Sequence, residues 1–167
     1  KNDLAHQHLS RQFQNKQVKK EYVALCLGCM QKDEQTLVHL MKRAEMNRKR
    51  FVVNEKKGKE AITFVQVISK NSRVSFVRVK PSTGRTHQIR VHLSYIGHPI
   101  VGDELYGGTK KLHQFDEDEK QFIRDLRRPL LHARKIEFLH PRTNKPVCFE
   151  AEPAEDFMKA VKKFISL

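Results

Sequence analysis

Two runs of alternating residues stand back to back in the middle of the chain, Ala61 to Ser69 and Arg73 to Lys80, with only Lys70, Asn71 and Ser72 between them. Successive side chains of a strand point to opposite faces, so period-two alternation broken by a short polar turn predicts a β-hairpin. In the second run Val74, Phe76 and Arg78 share one face while Ser75, Val77 and Val79 share the other. Apolar residues on both faces call for cover on both sides, which places this strand inside a sheet. Pro81, Ser82, Thr83 and Gly84 then form a turn. Thr86 is a suitable N-cap for a helix in which Ile89, Leu93 and Ile96 fall at helical spacing and which ends at Gly97. A hairpin that feeds straight into a core-facing helix points to the α+β class.

The flanks extend the same pattern. Ala5, Leu9 and Phe13 recur at four-residue intervals and predict a short amphipathic helix over Asn2 to Gln14. Glu21 to Leu27 is mostly apolar and reads as a strand buried on both faces, ended by Gly28. Met41 to Lys59 carries Lys42, Arg43, Arg48, Lys49, Arg50, Lys56, Lys57 and Lys59 around a short apolar run at Phe51 to Val53. It reads as an exposed basic connection that either lies on a polyanion or is simply solvated. Later come an acidic-then-basic helix around Asp116 to Arg127, strands at Leu130 to Phe138 and Val147 to Glu152, and a terminal helix opened by Pro153. Phe157, Val161, Phe164 and Ile165 form the buried face of that helix. The expected architecture is α+β, with a mixed, largely antiparallel sheet and flanking helices. No internal repeat, low-complexity tract or interior domain boundary interrupts it.

With 167 residues, 38% of them hydrophobic, the chain is large enough for a core of its own. Thirty-three Lys and Arg against nineteen Asp and Glu leave a formal net charge of +14, which favours a polyanionic partner through phosphate neutralisation and counterion release. Nucleic acid leads that class, against the plainer alternative of a basic solvated surface. There is neither a long apolar run nor a secretory signal pattern. The chain therefore reads as soluble, monomeric and intracellular, in the cytoplasm, with an organelle left open.

Three cysteines, an odd number, argue against a disulfide framework. Cys26 and Cys29 form a CxxC, but no second ligand pair at zinc-site spacing accompanies them, so no metal is expected. Cys26 reads as a small apolar residue in a strand and Cys29 as part of the following turn. His87 and His92, five apart, fall on different faces of a helix and make no two-histidine site. His98, before Pro99, reads as structural, and Tyr106 as a core aromatic.

A strand, a Gly-containing turn and a helix start present free backbone N–H groups, and Lys80, Arg85 and His87 around them would suit a phosphate. Arg90 falls beside the core stripe of the helix, on a flank from which it can reach a partly buried cavity and pair with a carboxylate there. An ordinary structural salt bridge explains it equally well.

Lys80 to Gly107 meets every fixed position of KPxTGRTHQIRxHLxxxGxPIxGDxxYG and so resembles the third motif of the RluA-type RNA pseudouridine synthases. HLSRQFQNKQVKKEYVALCLG at residues 8–28, the Gly58 to Thr63 stretch, LLHA at Leu130 to Ala133, and His140 with Pro141 are similar to further blocks of that family. The resemblance implies a partial pseudouridine synthase catalytic fold, residues 1–167 being the C-terminal portion of a single catalytic domain. It implies isomerisation of uridine to pseudouridine in ribosomal or transfer RNA, without cofactor or metal. Tyr22 would be the aromatic residue that stacks on the extruded uracil, and Arg90 the partner that holds a nucleophilic aspartate ionised. RNA contacts are expected from Lys80, Arg85, His87, Arg48, Lys49 and Arg50. That aspartate belongs to an HRLD-type motif, and no HRLD occurs in these 167 residues. Asp103 matches a turn-supporting position rather than the nucleophile. On this reading Arg90 lacks its carboxylate partner, the chain alone is inactive, and the alternative is a catalytically inert basic RNA-binding module.

Overall fold

A computed structural model describes residues 3–110 and 112–165. Among these residues the chain order is α1 (Asp3–Gln14), β1 (Lys19–Leu27), β2 (Glu34–Arg43), β3 (Phe51–Val53), β4 (Lys59–Lys70), β5 (Val74–Pro81), α2 (Gln88–Tyr95), α3 (Glu117–Asp125), β6 (Leu131–Leu139), β7 (Pro146–Glu150) and α4 (Glu155–Phe164), with a 3-10 turn at Glu104–Tyr106. The strands form one sheet in the order β3-β2-β4-β5-β1-β6-β7. Every pairing in it is antiparallel, so the sheet is not mixed.

The expected hairpin is β4 and β5. Its turn is held by Asn71, whose Oδ1 accepts from the Arg73 and Val74 amides at 2.9 and 3.0 Å, as a short polar side chain does in place of backbone. β5 then pairs with β1, Tyr22 opposite Val79 and Ala24 opposite Val77. Because register fixes faces, Tyr22, Val79, Val65 and Thr63 lie on one side of the sheet. Val23, Leu25 and Phe76 lie on the other.

Helix α2 covers the Tyr22 side: Gln88 and His92 both bond to Thr63 Oγ1, at 2.9 and 2.8 Å. The opposite side is closed by α4, where Phe157 meets Phe76 edge to face with ring centroids 6.0 Å apart. Phe157, Val161, Phe164 and Ile165 are all buried, as their helical spacing requires. Helix α3 packs beside α4 through Phe122 and Phe164, and opens with a capping box in which Asp116 and Glu119 exchange side chain to backbone bonds. Residues 99–101 run along the end of β1: the Leu27 amide donates to Pro99 O and the Val101 amide to Leu25 O, both at 2.9 Å. Cys26, in β1, is fully buried and its thiol is pushed up by desolvation, while Cys29 lies in the segment that follows.

Met41 to Lys59 departs from the expected open connection. β2 enters from Glu34 and ends at Arg43, and Phe51–Val53 returns along it as β3, making a basic hairpin at the edge of the sheet. Only the tip and the 54–58 turn fit the exposed reading. Among the described residues, no helix is long and apolar enough to cross a membrane.

Candidate active site

The start of α2 differs from the sequence reading. The helix begins at Gln88, with His87 rather than Thr86 at its cap, in a left-handed conformation (φ 57, ψ 19) and without a side-chain capping bond. A non-glycine residue there carries strain and persists only if its surroundings hold it. Here the His87 ring does so, its Nδ1 lying 2.9 Å from Tyr106 Oη. Burial and the nearby Arg90 lower the His87 pKa, against an opposing pull from Asp103, which favours the neutral ring.

Buried Gln88 occupies a backbone amide of the turn expected to be free. Its Oε1 accepts from the Arg85 amide and from Thr83 Oγ1, at 3.0 and 2.7 Å, and its Nε2 donates to Ile62 O at 2.9 Å. The turn is thus stitched to β4. Lys80, Arg85 and His87 do not converge on a shared anion. Lys80 lies on the sheet face away from α2 and pairs with Glu21 at 3.5 Å. Arg85 sends Nε to Glu60 O at 2.9 Å, and His87 turns to Tyr106.

Arg90 has a carboxylate, contrary to expectation. Its Nε and Nη2 meet Asp103 Oδ2 and Oδ1 at 2.7 and 2.8 Å, a two-point geometry that a planar guanidinium makes and a lysine cannot. The bond to Asp103 raises the Arg90 pKa further. Asp103 also accepts from the Tyr106 amide at 3.1 Å and so caps the 3-10 turn, in keeping with its reading as turn support. The guanidinium of Arg90 lies 4.8 Å from the centre of the Tyr106 ring, and that of Arg50 lies 5.5 Å from it. Tyr106 is buried, and its Oη accepts from the Phe51 amide at 3.0 Å. One aromatic residue therefore ties α2 to the basic hairpin. Nη1 of Arg90 has no protein acceptor among the described residues, and the side chain keeps one edge open to a surface pocket that Arg127 and Arg128 also line.

Tyr22 sits on the same sheet face as α2, half-buried, with its hydroxyl pKa raised by burial. Its ring lines a groove with Phe13, Lys20, Ala133 and Phe149. Tyr22 and Arg90 line separate pockets rather than one. Lys20 was not among the residues singled out from sequence, although two-residue spacing in a strand places it on the face of Tyr22. Gln88 was missed as well; a polar residue beside the Ile89, Leu93 stripe was the available signal.

Of the basic hairpin, Arg48 and Lys49 are exposed, while Arg50 turns inward over Tyr106. Among the described residues no group of three or more His, Cys, Asp or Glu could hold a metal ion.

The fold is that of a pseudouridylate synthase domain. The human RNA pseudouridylate synthase domain containing 4 protein superposes with a TM-score of 0.75 over 98% of this chain and 68% of its own, at 23% identity. The human domain containing 1 protein gives 0.67 over 99% and 73%, at 26% identity. The RNA pseudouridylate synthase family profile matches residues 1–95, and the chain belongs to that family. An uncharacterized RNA pseudouridine synthase of Chlorobaculum parvum is 38% identical over 98% of this chain and 52% of its own length. The ribosomal large subunit pseudouridine synthase D of Zymomonas mobilis is 33% identical over 97% and 50%. The chain spans about half the length of the curated relatives it matches.

Proposed function

We propose that residues 1–167 form the C-terminal portion of a single catalytic domain of an RNA pseudouridine synthase acting on ribosomal or transfer RNA. The observation that carries this reading is Tyr22, an aromatic ring at the centre of the sheet, half-buried and facing a groove bordered by Lys20. A base must leave its stack to be worked on, and an aromatic face beside a cation receives it. In the reaction the uracil N1 to ribose C1′ bond breaks, the ring turns against Tyr22, and C5 bonds to C1′ while its proton leaves and N1 takes one up. A carboxylate nucleophile from an HRLD segment starts this cleavage. Arg90, clamped by Asp103 and with Nη1 to spare, holds that carboxylate ionised. Arg48 and Lys49 meet phosphates of the surrounding RNA.

Tritium release from 5-labelled uridine in RNA by the complete protein tests the reading, with loss expected in Tyr22→Ala and Arg90→Ala. Retention of activity in both variants overturns the assignment. A second reading is favoured by the satisfied pair Arg90 and Asp103: a basic RNA-binding module without catalysis, which would bind RNA and release no tritium.

A further inference from the structure

Beside the Tyr22 groove lies a second one, between the α1 to β1 turn and the turn that precedes α2. The two share Phe13 and Lys20. Lys16, Lys20 and Arg85 line the second groove, and among the described residues no carboxylate does. On the strands around it, Lys19, Lys70, Lys80 and Lys135 each have an acidic partner within 4 Å. Lys20 has none among the described residues. It is half-buried, and desolvation lowers its pKa, so the ammonium has neither full hydration nor an acidic partner within 4 Å. Gly84 lies beside it, its would-be Cβ position 3.7 Å from Nζ, in ordinary van der Waals range. Phe13 is 54% exposed on the rim, an aromatic surface that the core does not use.

We propose that this groove binds the nucleotide next to the target uridine in single-stranded RNA, its phosphate on Lys20 and its base against Phe13. The inference rests on the function proposed above and deepens it. Two residues along a strand separate Lys20 from Tyr22 by about 7 Å, within the reach of one nucleotide. A phosphate supplies the missing counter-charge, and desolvation of Lys20 strengthens that contact. An exposed aromatic edge offers sequence-tolerant stacking, so this subsite orders the strand rather than reading its sequence.

The test uses the complete protein and a short RNA centred on a modified uridine, with affinity read by fluorescence anisotropy across a salt series. Lys20→Gln is expected to weaken binding about tenfold and to lower the salt slope by about one, whereas Lys20→Arg retains both. Phe13→Ala is expected to lose about tenfold. A methylphosphonate replacing one phosphate flanking the uridine should weaken the wild type as Lys20→Gln does, and the two changes together should weaken no further. If the wild type binds and isomerises RNA while Lys20→Gln keeps its affinity and salt slope, or while phosphate neutralisation adds fully to the variant, the subsite is overturned and the proposed function stands. If the wild type neither binds nor isomerises RNA, the proposed function falls first and the subsite falls with it.

Discussion

Arg90 and Asp103, thirteen residues apart, meet through two hydrogen bonds of 2.7 and 2.8 Å, with the Asp103 side chain 1% exposed. The pair joins the middle of α2 to the turn that carries Tyr106. Asp103 is too deeply buried for water to replace the hydrogen bonds its oxygens accept from Arg90 and the Tyr106 amide. Asp103→Ala is expected to destabilise the fold by about 3 kcal/mol in urea unfolding, because it leaves the guanidinium without its acceptor and uncaps the 3-10 turn. Arg90→Lys should recover little of the pair, since an ammonium cannot reproduce the fork.

Tyr22 separates ring from hydroxyl. If its ring supports the extruded base, Tyr22→Phe keeps base binding and Tyr22→Ala loses it, by about 1–3 kcal/mol of stacking. Affinity for a uridine-containing RNA, measured beside tritium release, distinguishes the two. In Tyr22→Phe, a loss of turnover with affinity retained would place the hydroxyl in proton transfer.

His92 is fully buried, its Nε2 has no hydrogen-bond partner among the described residues, and burial together with His39 lowers its pKa from 6.5 to about 4. Above pH 6.5 the ring is neutral in both folded and unfolded chains, and its contribution to stability is fully present. As pH falls from 6.5 to 4 the unfolded chain takes up a proton that the folded chain refuses, so stability is lost through this window, on the order of 3 kcal/mol in all. Urea midpoints at pH 7, 5.5 and 4 should show this loss in the wild type and a smaller one in His92→Gln.

Adjacent glycines should respond differently to alanine. A Cβ at Gly108 would lie 1.7 Å from Ile100 O and 2.6 Å from the Asp103 amide, so the backbone would have to move. Gly107, at φ 95, has nothing within 4 Å of its would-be Cβ, and only conformational strain opposes the change. Thermal denaturation should register about 1 kcal/mol for Gly107→Ala and more than about 4 kcal/mol for Gly108→Ala.

The basic hairpin divides into two kinds of arginine and lysine. Replacing exposed Arg48 and Lys49 together by alanine is expected to lower the salt slope of RNA binding by about two and leave stability unchanged. Arg50→Ala should instead lower stability, because Arg50 packs over Tyr106.

Much of the fold was legible where local rules and tertiary packing agree. β1, β4, β5, β6, β7 and all four helices came from alternation, helical spacing and turn residues. β2 was not legible because its apolar residues do not alternate cleanly: Leu37 and Met41 are buried while Val38 is 55% exposed. Its place depends on pairing with β4, a contact that no local signal announces. At the site, Tyr22 and Arg90 were reached through motif resemblance, and Asp103 through turn chemistry. Lys20 was overlooked because a lysine in a basic stretch looks ordinary until its half-burial, with no acidic partner within 4 Å among the described residues, singles it out.

By itself the sequence determined the α+β class, the hairpin leading into α2, the buried stripe of α4 and the basic balance, because each follows from periodicity or composition within a short span. The tertiary structure alone decided which groups face one another: Arg90 with Asp103, His87 with Tyr106, Lys20 with an acid-free groove. Those contacts depend on the direction of side chains brought together by long-range strand pairing, and direction in space is not written in local spacing.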